Sequence, residues 1–309
     1  MILTITMNPA IDKIYIVDNY KLGEVHRPSR TVASAGGKGL NVARVAKLMG
    51  ENVAATGVLG GPNGDFIDNE VKKLGIDSRF INISGETRIC INVSDTVNQT
   101  STEVLESGPI IDKAEADRFI EEYEAMLSDV KVVTISGSLP KGLPVDFYSL
   151  LIDTAKKHDK KVILDTSSKA FIEGMKALPY IVKPNADEIR QVYDGDVNSV
   201  EGLVKAIEYF REMGIKLPII SRGKDGCIAG LDDGVYKFTI PPVDVVNTVG
   251  SGDSFVAGCA IGLARDFSQI DMIKMGIACG TANTQFTQTG YVERELVDEY
   301  FGQVKVEKV

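Results

Sequence analysis

From residue 112 to the end of the chain, helix-length periodic stretches alternate with short runs of β-branched and apolar residues. Apolar spacing predicts helices near 113–128, 144–158, 199–213, 252–265, 268–284 and 293–302. Strands are expected at 132–136, 161–165, 180–182, 218–221, 227–229 and 235–240. This rhythm leaves few architectures open, because parallel strands need crossover helices and bury both faces of their sheet. The expected fold is a mostly parallel central sheet between two helix layers. Sites in such sheets lie beyond the C-terminal ends of the strands.

The first 111 residues keep a different rhythm. Residues 2–7 read as a strand that ends at the turn signal Asn8-Pro9, and 14–17 as a second, short strand. A glycine-rich stretch over 33–39 leads into a helix over 40–49, stopped by Gly50. A buried run follows at 53–59, then a helix at 65–74 that stops at Gly75. Residues 79–83, 88–94 and 101–105 read as strands, the last two as a hairpin across the polar turn 95–99. These β-rich pieces do not fit the later alternation. They are expected to form a small β lid from two segments, about 9–34 and 86–108, on a single domain spanning 1–309. No repeat, low-complexity tract or long linker interrupts the chain.

Composition narrows the function. With 44% hydrophobic and 25% charged residues the chain is an ordinary globular protein, since disorder requires fewer apolar residues. Its net charge of -9 comes without any dense Lys/Arg block, which argues against a nucleic-acid surface. A few local cations can still hold a small anion. The four cysteines, Cys90, Cys227, Cys259 and Cys279, are widely spaced and predict free thiols rather than a metal site or disulfide framework. Two histidines, His26 and His158, are too few for a His-ligated metal or a Ser-His-Asp triad. The N-terminus has neither a basic start nor a cleavage site, and no apolar run is long enough to span a membrane. A cytoplasmic protein is therefore expected.

Three motifs carry chemistry. In Asn247-Thr248-Val249-Gly250-Ser251-Gly252-Asp253, two glycines allow a tight turn into an apolar helix. The free amides and positive dipole end of such a helix suit a phosphate or the charge that develops during its transfer. Asp253 there is either a helix-capping carboxylate or a base for a hydroxyl proton. In Ala35-Gly36-Gly37-Lys38-Gly39-Leu40-Asn41, glycines permit close approach of backbone to a ligand and Asn41 can bond sugar hydroxyls. Lys38 there meets a phosphate or faces water. Neither segment is a G-x-x-x-x-G-K-[ST] P-loop or a GxGxxG fingerprint. In Lys183-Pro184-Asn185-Ala186-Asp187-Glu188, Asn185 and Glu188 share a helix face. They are either oxygen ligands for a hydrated Mg²⁺ or an acidic helix start.

These motifs, with Asn8-Pro9-Ala10-Ile11-Asp12 before them, occur in the order found in the PfkB (ribokinase-like) carbohydrate kinases, which the whole chain resembles. Thr6-Met7-Asn8, Glu86-Thr87-Arg88 and Ile135-Ser136-Gly137-Ser138-Leu139-Pro140 are similar to the branch of 1-phosphofructokinase and tagatose-6-phosphate kinase. The resemblance implies a ribokinase-like three-layer α/β/α domain with a β lid, using ATP and Mg²⁺ on a ketohexose monophosphate. It implies Asp253 as catalytic base, with the Gly250, Ser251 and Gly252 amides as anion hole. Asp12, Gly36, Gly37 and Asn41 would contact sugar hydroxyls. Arg88 would clamp the existing phosphate, assisted by Ser138 and Lys38, with Arg27 as a lid arginine. Lys183 and Asn185 would contact nucleotide phosphates, and Glu188 would act on Mg²⁺ through water. Ser221, Gly223, Gly226 and Asn283 would line the nucleotide pocket. Arg222 departs from the family, which usually has an apolar residue there. Homodimerisation through the lid is a further implication.

Two rival functions remain open at this stage. A kinase of an unphosphorylated sugar or nucleoside is disfavoured by Arg88 and Lys38. A catalytically silent binding regulator has no chemical need for the intact Gly250-Ser251-Gly252-Asp253 element.

Overall fold

The computed structural model describes residues 1–309. Strand β1 (Ile2–Thr6) is buried at every position and lies inside the main sheet. The chain leaves that sheet for β2 (Ala10–Val17) and β3 (Arg30–Gly36) and returns through α1 (Lys38–Leu48) to β4 (Val53–Leu59). After α2 (Gly61–Lys73) come two short strands, β5 (Asp77–Ser78) and β6 (Ile81–Asn82). The chain leaves again for β7 (Arg88–Asp95) and β8 (Thr100–Leu105).

The expected alternation then begins. It runs α3 (Lys113–Met126), β9 (Val132–Ser136), α4 (Phe147–Lys157), β10 (Lys161–Asp165), α5 (Ser168–Lys176) and β11 (Ile181–Val182). It continues through the single turn α6 (Ala186–Ile189), α7 (Val200–Glu212), β12 (Leu217–Ser221), β13 (Cys227–Leu231) and β14 (Gly234–Thr239). Helices α8 (Ser251–Ala264), α9 (Gln269–Asn283) and α10 (Arg294–Gln303) and strand β15 (Lys305–Lys308) complete it.

The main sheet has the order β15-β14-β13-β12-β11-β10-β9-β1-β4-β5, with β6 also pairing β4. From β12 to β5 every pairing is parallel, while β13, β14 and β15 add an antiparallel margin. Strand β1 pairs β4 on one side and β9 on the other, so the winding direction reverses between β1 and β9. Open α/β sheets place their ligands at such a switch point. Two apolar cores cover the sheet. One involves α1, α2, α8, α9 and α10, and the other α3, α4, α5 and α7. Helix α8 is buried from Asp253 to Leu263. A helix that is apolar all round must be enclosed in this way.

A second sheet of four strands has the order β3-β2-β7-β8. Strands β2 and β7 run parallel from the pair Ala10–Arg88 to Val17–Asp95, and each carries an antiparallel partner. The two expected lid segments, 9–34 and 86–108, contain these strands, except that β3 continues to Gly36. The buried Asp95 carboxylate closes the top of this sheet, accepting amide protons from Asn19, Tyr20, Val97 and Asn98.

Three elements escape the periodicity. Strand β3, Arg-Thr-Val-Ala-Ser-Ala-Gly, has no apolar alternation and is a strand because β2 pairs it. Strand β15 is fully exposed and charged, and its register against β14 defines it. Helix α5 has nine residues, too few for the pattern to stand out. The expected strand over 79–83 is instead the separate pair β5 and β6. All four cysteines are unpaired, and three are buried. No helix is long and apolar enough to cross a membrane.

Candidate active site

The turn into α8 needs glycine at position 250. Its backbone is left-handed, with φ +82°, and a Cβ there would come within 2.7 Å of the Thr289 methyl. The turn leaves the Gly250, Gly252 and Asp253 amides without acceptors, whereas the Ser251 amide donates to the Thr248 carbonyl at 3.2 Å. The expected anion hole is thereby corrected at one position. Ser251 is withdrawn into the turn, and the amide of Asp253 itself takes its place. Three open amides at the positive end of a buried 14-residue helix form a site for an anion.

The Asp253 side chain is 7% exposed, and its carboxylate accepts a hydrogen bond from Asn41 Nδ2 at 2.8 Å. Burial pushes its pKa up to about 6, with the Asp165 charge adding to the rise. The Asn41 bond and the Lys38 and Lys183 ammonium groups oppose it. A capping carboxylate would bond its own helix amides, but α8 has no side-chain cap. Asp253 is thus turned away from the helix start and toward α1.

Sequence reasoning missed Asp165. It ends β10 at the C-terminal edge of the sheet, buried to 4% exposure, between Lys183 Nζ at 3.2 Å and Lys38 Nζ at 3.5 Å. Burial works against its charge, yet the two lysines hold its carboxyl below the usual range. Asp165 in turn raises the pKa of Lys38. Lys183 Nζ lies 3.7 Å from where a Cβ of Gly252 would stand, which sets this ammonium beside the open amides. The available signal was an acid at the C-terminal end of an expected parallel strand.

On the other flank Asp12, in β2, has its pKa raised to about 6 by burial, against the pull of Arg44 and Arg88. Gly36 lies against this carboxylate, which any Cβ there would overlap, and Gly37 follows it as the N-cap of α1. Arg88 opens β7 and donates to the Asn8 carbonyl through Nη2 at 2.8 Å and to the Glu106 carbonyl through Nη1 at 2.9 Å. It forms no ion pair with Glu86, which instead bonds the Asn63 amide, nor with Glu103. Ser138 Oγ accepts from Asn8 Nδ2 at 3.3 Å, so Arg88, Asn8 and Ser138 form one group. Buried polar atoms of Thr6, Asn8 and Ser136, at the ends of β1 and β9, have no protein partner. They leave hydrogen-bonding capacity at the switch point. A cavity of about 500 Å³ opens beside Arg88, walled also by Glu86 and Glu106, and does not reach Asp253. Arg27 stands exposed between β2 and β3 and makes no side-chain hydrogen bond or ion pair to the group.

Asn185 and Glu188 form a reciprocal capping box on α6, the helix-start geometry expected as the alternative to a metal face. Glu188 spends one oxygen on the Asn185 amide. Asn185 pairs Ser221 across the sheet end, and Gly223 and Gly226 turn the chain into β13 with φ +54° and +82°. Asn283, expected in the nucleotide pocket, is fully buried. Its amide donates to the Val249 carbonyl and accepts from the Gly290 amide, so it braces the glycine turn from behind. The segment before that turn exposes Val245, Val246 and Val249, and the Thr284 carbonyl anchors it by accepting from the Val246 and Asn247 amides. Sequence reasoning also passed over Arg44, a charged residue inside an apolar helix pattern, three positions after Asn41.

A carbon-detected NMR titration should find the Asp253 carboxyl with a midpoint near pH 6. Asn41→Leu removes a donor to the charged form and should move that midpoint upward. An unchanged midpoint would remove Asn41 from the control of Asp253.

The model of the pfkB family of carbohydrate kinases matches residues 5–295. A Staphylococcus aureus chain provisionally called a phosphofructokinase is 29% identical, with 100% of this chain and 99% of that chain covered and a TM-score of 0.87. A Thermotoga maritima chain provisionally called a 1-phosphofructokinase is 26% identical, with the same coverage and a TM-score of 0.88. Phosphofructokinase-2 from Escherichia coli, solved with potassium, shares the fold at TM-score 0.90 and 23% identity, covering 98% of both chains. With the glycine turn, the buried Asp253 and the strand-end cluster in place on a ribokinase-like fold, the chain belongs to the pfkB family of carbohydrate kinases.

Proposed function

We propose that this kinase transfers the γ-phosphoryl group of ATP to a ketohexose monophosphate. The products would be tagatose 1,6-bisphosphate from tagatose 6-phosphate, or fructose 1,6-bisphosphate from fructose 1-phosphate. One observation carries this reading. A carboxylate held by Asn41 stands beside three open helix amides and an ammonium group, with Arg88 on the opposite flank. The Staphylococcus and Thermotoga relatives carry phosphofructokinase names, and the Escherichia coli protein has been crystallised with fructose 6-phosphate. An unphosphorylated substrate would leave unused the Arg88 N–H donors not spent on the Asn8 and Glu106 carbonyls, whereas a guanidinium can hold a phosphate through such donors.

The chain's own groups serve the proton step and part of the charge stabilisation. Asp12 and the Gly36-Gly37 backbone orient the sugar hydroxyls, and Arg88, assisted by Ser138, holds its phosphate. Asp253 takes the proton of the attacking primary hydroxyl as its oxygen bonds the γ-phosphorus and the bond from that phosphorus to the bridging oxygen breaks, releasing ADP. The Gly250, Gly252 and Asp253 amides and Lys183 offset charge on the moving phosphoryl group, and Lys38 adds to the local positive field. Ser221, Gly223 and Gly226 border the nucleotide. The exposed Val245, Val246 and Val249 offer its base an apolar surface. No three acidic, His or Cys side chains converge into a metal cage. Mg²⁺ bound with a nucleotide keeps most of its waters and needs only one or two protein carboxylates. Glu188, close enough to Lys38 to influence its charge, fits that requirement through water. When bound, the ion would neutralise phosphate charge and align the oxygens. The second sheet would act as a lid that excludes water. Its outer strand β8 exposes Val104 and Leu105, so we also propose pairing of two lids in a homodimer.

Asp253→Asn should lower kcat by about 10²–10⁴-fold with little change in the sugar KM. Near-normal turnover in that variant would remove the base. Arg88→Ala should raise the KM for the phosphosugar by about 10–100-fold, the loss of a charge-assisted contact. Steady-state rates on tagatose 6-phosphate, fructose 1-phosphate and fructose 6-phosphate should rank the substrates. Low rates on all three, beside rapid turnover of an unphosphorylated sugar, would overturn the assignment. Because Asp253 must be ionised in the free enzyme, kcat/KM should fall tenfold per pH unit below about 6, its raised pKa. In light scattering, Val104→Lys should shift the proposed dimer to monomer. An unshifted mass would place the interface elsewhere.

A further inference from the structure

We propose that Arg44 is a positioning residue of the phosphoryl-transfer site. Its buried guanidinium fixes the Asn41 amide, and through it Asp253, while tying the end of strand β3 to the loop behind the glycine turn. This rests on the reading of Asp253 as base.

The guanidinium lies on α1, one turn below Asn41, and is 7% exposed. Nη1 donates to Asn41 Oδ1 and to the Thr289 carbonyl, both at 3.0 Å. Nη2 donates to the Ala35 carbonyl at 2.5 Å. No carboxylate pairs it directly. Asp12 and Glu70 act on it only through space, and burial dominates its environment. A buried guanidinium without a paired anion is costly, and an apolar side chain would fill the same space more cheaply. Its directed hydrogen bonds are what an apolar residue cannot supply.

Those bonds have one geometric consequence. A guanidinium only donates, and a carboxylate only accepts. With Arg44 on one side and Asp253 on the other, the Asn41 amide has one orientation that satisfies both: Oδ1 to Arg44 and Nδ2 to Asp253. The cation, amide and carboxylate form a polarised chain that fixes the acceptor lone pairs of the base. The same cation reaches the anion turn by a second path. Thr289 precedes Gly290, whose amide donates to Asn283, and Asn283 holds the Val249 carbonyl before Gly250. Through Ala35 it also grips β3, the strand that carries Gly36 against Asp12. Base, anion turn and sugar-facing strand thus meet at one side chain, which touches no reacting atom.

The test uses the full-length enzyme with Arg44→Met, Arg44→Lys, Asn41→Leu and the Arg44→Met/Asn41→Leu double variant. Thermal melts and circular dichroism establish that each is folded. Arg44→Met should lower kcat by about 10–100-fold, as displacement of a reacting group by an ångström does, with the ATP KM within about twofold. The Asp253 carboxyl titration should shift upward, as in Asn41→Leu. The other charged groups facing Asp253, namely Asp165, Lys38 and Lys183, are unchanged by these substitutions. Arg44→Lys keeps the charge but loses the fork, so it should recover part of kcat. The double variant should lose less than the product of the two single losses, because the path through Asn41 to Asp253 is shared. Unchanged kcat and Asp253 titration in Arg44→Met, or losses that multiply in the double variant, would overturn the proposal. If Arg44→Met does not fold, Arg44→Lys decides: full activity with an unshifted titration overturns it. The Asp253 titration needs no turnover. It therefore judges Arg44 even if Asp253→Asn retains activity and the base assignment fails.

Discussion

A carboxylate removed from water at the start of a buried helix is the constraint on which the rest of the site depends. Asp253 lies in α8, a helix with no polar face, so the fold cannot relieve it by moving it to the surface. Its charge is set instead by what surrounds it. Burial and Asp165 drive the pKa up, while Asn41, Lys38 and Lys183 draw it down, and the balance falls near 6. A carboxylate with that value is ionised at neutral pH and still holds a proton better than an ordinary aspartate, which suits the proposed base.

Asp165 makes this balance stable as a structure. Two ammonium groups next to three open amides would repel each other, and a single buried carboxylate between them, at 3.2 and 3.5 Å, offsets that repulsion. It also keeps Lys183 directed toward the amides of the glycine turn. A phosphate bound there, as proposed, would meet cations that are already positioned, so little reorganisation would be needed when charge moves. The same logic applies at the flank proposed for the sugar. Arg88 is held in place by the Asn8 and Glu106 carbonyls rather than by a carboxylate that would compete with a phosphate.

Much of the fold was legible as a one-dimensional pattern. The strands at 132–136 and 161–165 and the helices from 252 onward stand within a residue or two of where periodicity placed them. The elements that were not legible share a cause. Strands β3 and β15 exist through hydrogen bonds to a neighbouring strand, and nothing in their own side chains announces them. Site residues divide in a similar way. Asp253, Lys183 and Arg88 were recognisable by motif, but Asp165 and Arg44 matter through partners far away in the chain. Asn283 was expected in the nucleotide pocket, and the structure buries it behind the turn with its amide on the Val249 carbonyl, a placement that no local pattern announces.

The sequence by itself determined the parallel sheet, the glycine turn into α8 and the set of chemical groups available. Local spacing and backbone freedom act between near neighbours and can be read in order. Only the tertiary structure decided that Asn41 would face Asp253 across 212 positions, that Asp165 would stand between two lysines, and that Ser251 would turn its amide inward while Asp253 left its own free. Such pairings follow from which strand ends and helix starts the winding of the sheet brings together, and no local rule encodes that meeting.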